Sequence, residues 1–266
     1  MIRTATRDDL PALRALFAAA NEMPYDLAAV AEEKCFGDGI AGQPVVRMVG
    51  NEGAVVTCGR WLRILAVHPE ARGRGIGSAL LADAEQLGAR VIAAEPGNYF
   101  TPGVFEAQRG FLEKRGYQET AATWNLEVAL PIGPISPIGP IRPTPADADR
   151  VLSFVEREFG RIWRFEAAKA FERELPPCFI EEENGNLTGF AVHDVNNRGL
   201  GWFGPTGVAK AIRGRGTGCR LLLASLADLH RLGSSRAVIP WTDALAFYDR
   251  CCGANPAHRY LTFAKP

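Results

Sequence analysis

The chain has 266 residues, 47% hydrophobic and 23% charged, with 30 basic side chains against 30 acidic ones. That length suits two domains, each able to bury a core of its own. A formal net charge of zero argues against nucleic acid or an anionic membrane as a partner, and no apolar run approaches the length of a membrane span.

The opening Met1-Ile2-Arg3-Thr4-Ala5-Thr6-Arg7-Asp8-Asp9 is charged at once and lacks the apolar core of a secretion signal, so a cytoplasmic protein is expected. Residues 2–5 read as a strand, and Thr6 to Pro11 as a helix entry with a polar cap and an early proline. Leu10, Leu13, Leu16 and Phe17 share one helical face. A second helix is expected around residues 27–33, closed by Gly37, Gly39 and Gly42. Residues 45–49 and 54–58 read as strands about the turn Gly50-Asn51-Glu52-Gly53, and 61–67 as another strand. This last strand leads to Arg72-Gly73-Arg74-Gly75-Ile76-Gly77 and a helical run from Ser78. A buried strand over 90–94, a polar turn over 95–103, a helix over 105–115 closed by Gly116, and a strand over 123–128 follow.

Residues 131–140 are dominated by proline and glycine, which suits a stiff extended linker. Beyond them the pattern repeats. Ile141-Arg142-Pro143-Thr144-Pro145-Ala146-Asp147 echoes the opening, and helices are expected over 148–159 and 165–174. Strands are expected over 178–182 and 202–208, the second leading to Arg213-Gly214-Arg215-Gly216-Thr217-Gly218. A helical run from Cys219, a strand at 237–240, a helix at 244–251 and a strand at 260–263 complete an internal duplication.

Each glycine motif lies between a strand and a helix N-terminus. Glycine lets the backbone approach a ligand, the free N–H groups of the first helical turn favour an anion, and the arginines match phosphate geometry. A diphosphate ligand is expected. No Gly-Lys-Ser/Thr follows, which excludes a Walker loop. A dinucleotide fingerprint is the rival, with Glu95 placed as the ribose-binding acid. Ser78 stands against it at the third glycine position, as does the loop lengthened by His68-Pro69-Glu70-Ala71.

The pattern Arg-x-x-Gly-x-Gly after a strand ending Leu65-x-Val67-x-Pro69 resembles the acetyl-CoA motif of the GNAT acyltransferase superfamily. The resemblance implies an α/β fold of two tandem GNAT-like domains. Each would be a mixed, mostly antiparallel twisted sheet flanked by helices, over residues 1–130 and 141–266 with the linker 131–140 between. It implies acetyl-CoA as cofactor, held by Arg72, Gly73, Arg74, Gly75, Ile76 and Gly77 in the first half and by Arg213, Gly214, Arg215, Gly216, Thr217 and Gly218 in the second. Backbone groups of Leu65 and Val67, and of Thr206 and Val208, would hold the pantetheine arm.

In the same family a tyrosine near the sulfur protonates the leaving thiolate, and by position this is Tyr248. A phenol of pKa about 10 donating to a thiolate of about 8.5 is uphill by only about 2 kcal/mol. Trp241 replaces the usual asparagine upstream, and in the first half Leu112 stands where the tyrosine belongs. The second half is therefore expected to be catalytic, and the first to bind CoA without turnover or to use Tyr99. Glu181, His193, Asp194 and Asp243 are candidate bases, with a water-mediated route equally open.

The partner implied is a small-molecule or peptide amine, acting on a monomer or homodimer. A non-catalytic acyl-CoA sensor is the alternative, and a dinucleotide-dependent oxidoreductase the third reading. The cysteines Cys35, Cys58, Cys178, Cys219, Cys251 and Cys252 lack C-x-x-C spacing and suit idle thiols. His68, His193, His230 and His258 are scattered singly, so no metal site is expected.

Overall fold

A computed structural model describes residues 1–133 and 139–266, so most of the expected linker, 134–138, lies outside the described residues. The chain forms two compact units, Met1–Thr123 with Arg259–Pro266, and Trp124–His258.

The first unit contains β1 (Ile2–Thr4), α1 (Leu10–Ala20), α2 (Ala31–Phe36), β2 (Val45–Val49), β3 (Gly53–Cys58), β4 (Trp61–Val67), α3 (Ile76–Gln86), β5 (Val91–Ile92), α4 (Arg109–Glu113), the first part of β6 (Gln118–Ala129) and the last part of β11 (Asn255–Ala264). Asp9 accepts from the Thr6 backbone N–H at 2.8 Å, which starts the turn into α1. Leu13, Leu16 and Phe17 are buried as the periodicity requires. The sheet runs β1-β2-β3-β4-β5-β11-β6. Its core joins Val55, Leu80, Leu81, Ile92, Leu112 and Phe263.

β4 and β5 run parallel only at Trp61↔Val91 and Leu62↔Ile92, then part. The expected strand over 90–94 stops early because Ala93 and Ala94 turn to φ of 55° and 54°. The chain after them folds inward. Arg63 holds Glu95 through two hydrogen bonds of 2.6 and 3.0 Å, with both side chains fully buried. Arg63 also donates to the carbonyls of Lys34 and Gly37, and buried Lys34 donates to Asn98 at 3.0 Å. This clamps the loop after β5 to α2.

The second unit repeats the plan with α5 (Ala148–Phe159), α6 (Arg161–Ala168), β7 (Cys178–Glu183), β8 (Asn186–His193), β9 (Phe203–Val208), α7 (Thr217–Arg231), β10 (Arg236–Thr242) and α8 (Leu245–Cys252). Asp147 accepts from the Thr144 N–H at 2.9 Å, the counterpart of the first helix entry. β7, β8 and β9 form an antiparallel sheet, and Trp202, just before β9, makes one isolated parallel bridge to Val238 of β10. β8 is a strand that the sequence reading did not single out.

Chain order alone assigns the strand at 123–128 to the first half and that at 260–263 to the second. In the structure residues 124–129 pair with β10, while Phe263 and Ala264 pair with β5. The compact units divide at Thr123 and Arg259. Pairing partners far apart in sequence leave no mark on the local alternation of either strand.

Removing one charge of a buried pair strands the other, at a cost of about 3–5 kcal/mol. Glu95→Gln is therefore expected to lower unfolding free energy by that amount in a denaturant titration. Glu32→Gln, which breaks the exposed pair with Arg7, should cost less than about 1 kcal/mol.

Candidate functional site

Both glycine motifs take the same backbone form. Gly73 and Gly75 have φ of 75° and 82°, Gly214 and Gly216 of 84° and 83°, and the second of each pair caps α3 or α7. A Cβ built on Gly73, Gly75 or Gly214 meets nothing within 4 Å. These glycines thus serve the left-handed turn, and the space above them is open to a ligand. At the third glycine a Cβ would lie in ordinary contact, with Val67 and Phe111 at Gly77 and with Phe247 and Val208 at Gly218. Helix N-termini with free N–H groups therefore face the ends of β4 and β9, and this donor set fits a diphosphate.

In both units the first arginine of the motif folds back on its strand. Arg72 Nε donates to the Val67 carbonyl at 3.3 Å, and Arg213 Nε to the Val208 carbonyl at 3.0 Å. Arg74 turns to Glu52 at 2.7 Å, and Arg215 to Glu183 at 3.4 Å.

In the first unit the parting of β4 from β5 opens a cavity of about 640 Å³. Leu65 and Val67 line it, together with Arg72, Gly73, Gly75, Ile76 and Gly77 of the motif. Glu22 bridges its mouth, accepting from Arg72 Nη1 at 2.5 Å and from Gln108 Nε2 at 3.2 Å. Leu112 lines the wall, 3% exposed, and offers no proton. Tyr99 is buried and is not among the lining residues, which removes its expected role as a substitute donor at this cavity. Glu95, the acid required by the dinucleotide reading, is spent on Arg63 and cannot reach a ribose.

The second unit fills the same plan differently. Thr206 and Val208 lie on β9, and the Thr206 hydroxyl donates to the Phe190 carbonyl at 3.0 Å. Between them, a Cβ on Gly207 would fall 2.5 Å from the Phe159 ring. Counted from the capping threonines Thr6 and Thr144, Phe159 stands where the first unit has Asn21. Phe111 and Phe247 occupy matching places against the third glycines, so Leu112 and Tyr248, the next residues, correspond. Tyr248 is 8% exposed and sits edge-on to Phe203 and Phe247, with centroids 6.4 and 4.9 Å away. Burial pushes its phenol up to about 12, with the neighbouring cysteines adding to the effect and a hydrogen bond with Thr242 opposing it. Phe203 follows the Trp202–Val238 bridge and Thr242 ends β10, so the phenol lies where these strands part.

Three of the four candidate bases are engaged. Arg220 grips Glu181 with two bonds of 2.6 Å. His193 is buried, its Nε2 2.8 Å from Asp228, and burial lowers its pKa. Burial alone would raise the Asp228 pKa, but hydrogen bonds from His193, Arg142 and Arg231 hold it below the usual carboxylate range. Asp194 accepts from Arg173 at 2.9 Å and from the Gly199 N–H at 2.6 Å. Asp243 is exposed, between β10 and α8.

The comparisons with known proteins agree with this geometry. Residues 24–119 match the model described as acetyltransferase (GNAT) domain, and residues 148–254 match that of the acetyltransferase (GNAT) family. The chain is a tandem member of the GNAT superfamily. GNAT domains use acetyl-CoA as co-substrate, and the fold is that of an acetyltransferase. Among solved structures, the glucosamine N-acetyltransferase region of a fungal multi-domain β-N-acetylglucosaminidase superposes with a TM-score of 0.79 at 18% identity. That match covers 99% of this chain and 38% of the fungal one. A GCN5-related N-acetyltransferase from Sphaerobacter thermophilus gives a TM-score of 0.70 at 22% identity, covering 100% of this chain and 95% of that one. A tandem GNAT protein from the clavulanic acid biosynthesis pathway gives 0.66 at 18% identity, covering 99% and 97%. No curated protein matches the chain in sequence. Among the described residues of this tandem GNAT protein, no helix is long and apolar enough to cross a membrane, and no group of side chains is arranged to hold a metal ion.

Glu22 holds Arg72 in an exposed pair, so an anion bound by the same guanidinium would have to compete with it. Exposed pairs of this kind are worth up to about 1 kcal/mol. Glu22→Gln should therefore tighten CoA binding to the first unit by roughly two- to fivefold, read by calorimetry on a Gly216→Glu background that blocks the second cradle.

Proposed function

We propose that this tandem GNAT protein moves an acetyl group from acetyl-CoA to a primary amine of a small molecule or peptide, and that the second unit performs the transfer. The observation that carries this reading is the pair Leu112 and Tyr248. At matching places beside the parting strands, the first unit has an alkyl group and the second a buried phenol.

In this reading the segment from Arg213 to Gly218 holds the diphosphate, and the backbone of Thr206 and Val208 orients the arm that follows it. Acetyl-CoA supplies the activated thioester. Tyr248 holds a proton at its hydroxyl across the physiological range, because burial raises the phenol to about 12. Complete transfer to a thiolate of pKa about 8.5 would then be uphill by about 5 kcal/mol. The favoured role is donation of a strong hydrogen bond to the departing sulfur, with solvent completing the protonation. With Glu181, His193 and Asp194 engaged, Asp243 remains as a base acting through water. The first unit, lacking the phenol but possessing an open cavity, holds a CoA ligand without turning it over.

Tyr248→Phe is expected to cut turnover by roughly 10²-fold or more while leaving the calorimetric affinity for acetyl-CoA nearly intact. Unchanged turnover would remove Tyr248 from the mechanism. Because the phenol titrates at about 12, wild-type turnover should show no basic limb due to Tyr248 below about pH 11. A limb near pH 9 that vanishes in the variant would contradict the burial argument. Titration of Gly75→Glu and Gly216→Glu separately locates the chemistry. Loss of thiol release only with Gly216→Glu supports the second unit, and loss only with Gly75→Glu refutes it.

A further inference from the structure

We infer that the first unit holds an acyl-CoA whose acyl group is longer than acetyl. This rests on the reading of Arg72–Gly77 as a CoA cradle, and it names what the rest of that cavity is for.

The cavity has two chemically different ends. At the cradle end lie Arg72, the motif glycines, Ser78 and Arg115, with Arg115 donating to the Ser78 hydroxyl at 2.5 Å. From Val67 the wall runs back along β4 to Leu62, five residues or about 16 Å. There the Leu62↔Ile92 pairing closes the cleft. Beyond β4 the apolar walls of the cavity come from four separate elements: Phe17 of α1, Leu27 ahead of α2, Phe100 of the loop after β5, and Leu112 of α4. All four are buried and apolar.

Apart from the buried Gln108 Oε1, which has no hydrogen-bond partner beside Glu22 at the mouth, the side chains of Glu22, Arg63, Arg72 and Thr101 are already used. Among the described residues, the ionisable ones lining the cavity are Glu22, Arg63, Arg72 and Arg115. Arg72 and Glu22 pair with each other at the mouth. Arg63 is neutralised by Glu95 and saturated by two carbonyls. The Thr101 hydroxyl donates to the Gly103 carbonyl at 2.8 Å. An ammonium entering this end would find no base to deprotonate it and no counter-ion, at a high desolvation cost. An alkyl chain meets neither obstacle, and each buried methylene is worth about a fourfold gain in affinity. The far end is an acyl-tail compartment.

The second unit places an aromatic ring beside its strand at the matching position. Ala66 of β4 lines the first cavity, while its counterpart Gly207 is covered by the Phe159 ring, which Trp163 stacks against at 5.2 Å. The longer chain is accordingly assigned to the first unit, where Ala66 lines open space.

The test is calorimetric titration of the Gly216→Glu protein with CoA, acetyl-CoA, butyryl-CoA and hexanoyl-CoA, with free-thiol release followed against a panel of amines. Affinity should rise by roughly fifteenfold from acetyl to butyryl, without thiol release, and the gain should be absent in Gly75→Glu. Leu27→Trp, filling the compartment, should abolish the gain while leaving binding of CoA itself unchanged. Should that variant fold poorly, the chain-length series on Gly216→Glu decides alone. CoA binding with flat or falling affinity past acetyl would overturn the acyl-tail compartment and leave the cradle standing. No CoA binding at the first unit would overturn the cradle reading and the inference with it. Thiol release from butyryl-CoA in the Gly216→Glu protein would refute storage without transfer.

Discussion

Two parallel strands that pair for two residues and then separate are the constraint on which the first unit depends. β4 and β5 share a ladder at Trp61 and Leu62 only. Past that point the inner edge of β4 presents backbone groups that must be satisfied by something other than its neighbour. The left-handed turn at Ala93 and Ala94 enforces the separation, and the Arg63–Glu95 pair anchors the diverging chain. The glycine motif then sets a helix N-terminus at the end of that same edge. Open strand edge, anion cradle and apolar walls follow from one interrupted ladder.

The duplicated plan shows how one scaffold is turned to different uses by few side chains. The turn geometry of the two motifs agrees within about 10° at the paired glycines, and each third glycine admits one aromatic ring. Divergence lies in what fills the cleft. Leu112 answers to Tyr248, Asn21 to Phe159, and Ala66 to Gly207. These exchanges alter volume and proton chemistry without touching the glycine turns that open the two helices.

Electrostatics is local throughout. The motif arginines are paired with Glu22, Glu52 and Glu183 on exposed surface, where exchange of a carboxylate for a phosphate costs little. The buried pair and the His193–Asp228 contact lie on a different scale, since either partner left alone would be a desolvated polar group. Carboxylates that look available in sequence divide on this basis into structural ones and those still free to act.

Much of this was legible from residues a few positions apart. Strand–turn–helix punctuation, the capping threonines and the buried face of α1 all follow from local chemistry, as did the family. The contrast between Leu112 and Tyr248 was visible as a letter in each copy. What local pattern could not reveal were decisions between distant segments: which sheet the strands at 124–129 and 260–263 complete, that Glu95 pairs with Arg63, and that Phe159 covers Gly207. The sequence by itself determined the kind of fold and the glycine turns that open α3 and α7, because propensity, turn geometry and periodicity act within a few residues. Only the tertiary structure decided which strand edges were filled and which cleft stayed open, because those outcomes depend on competition among partners far apart in the chain.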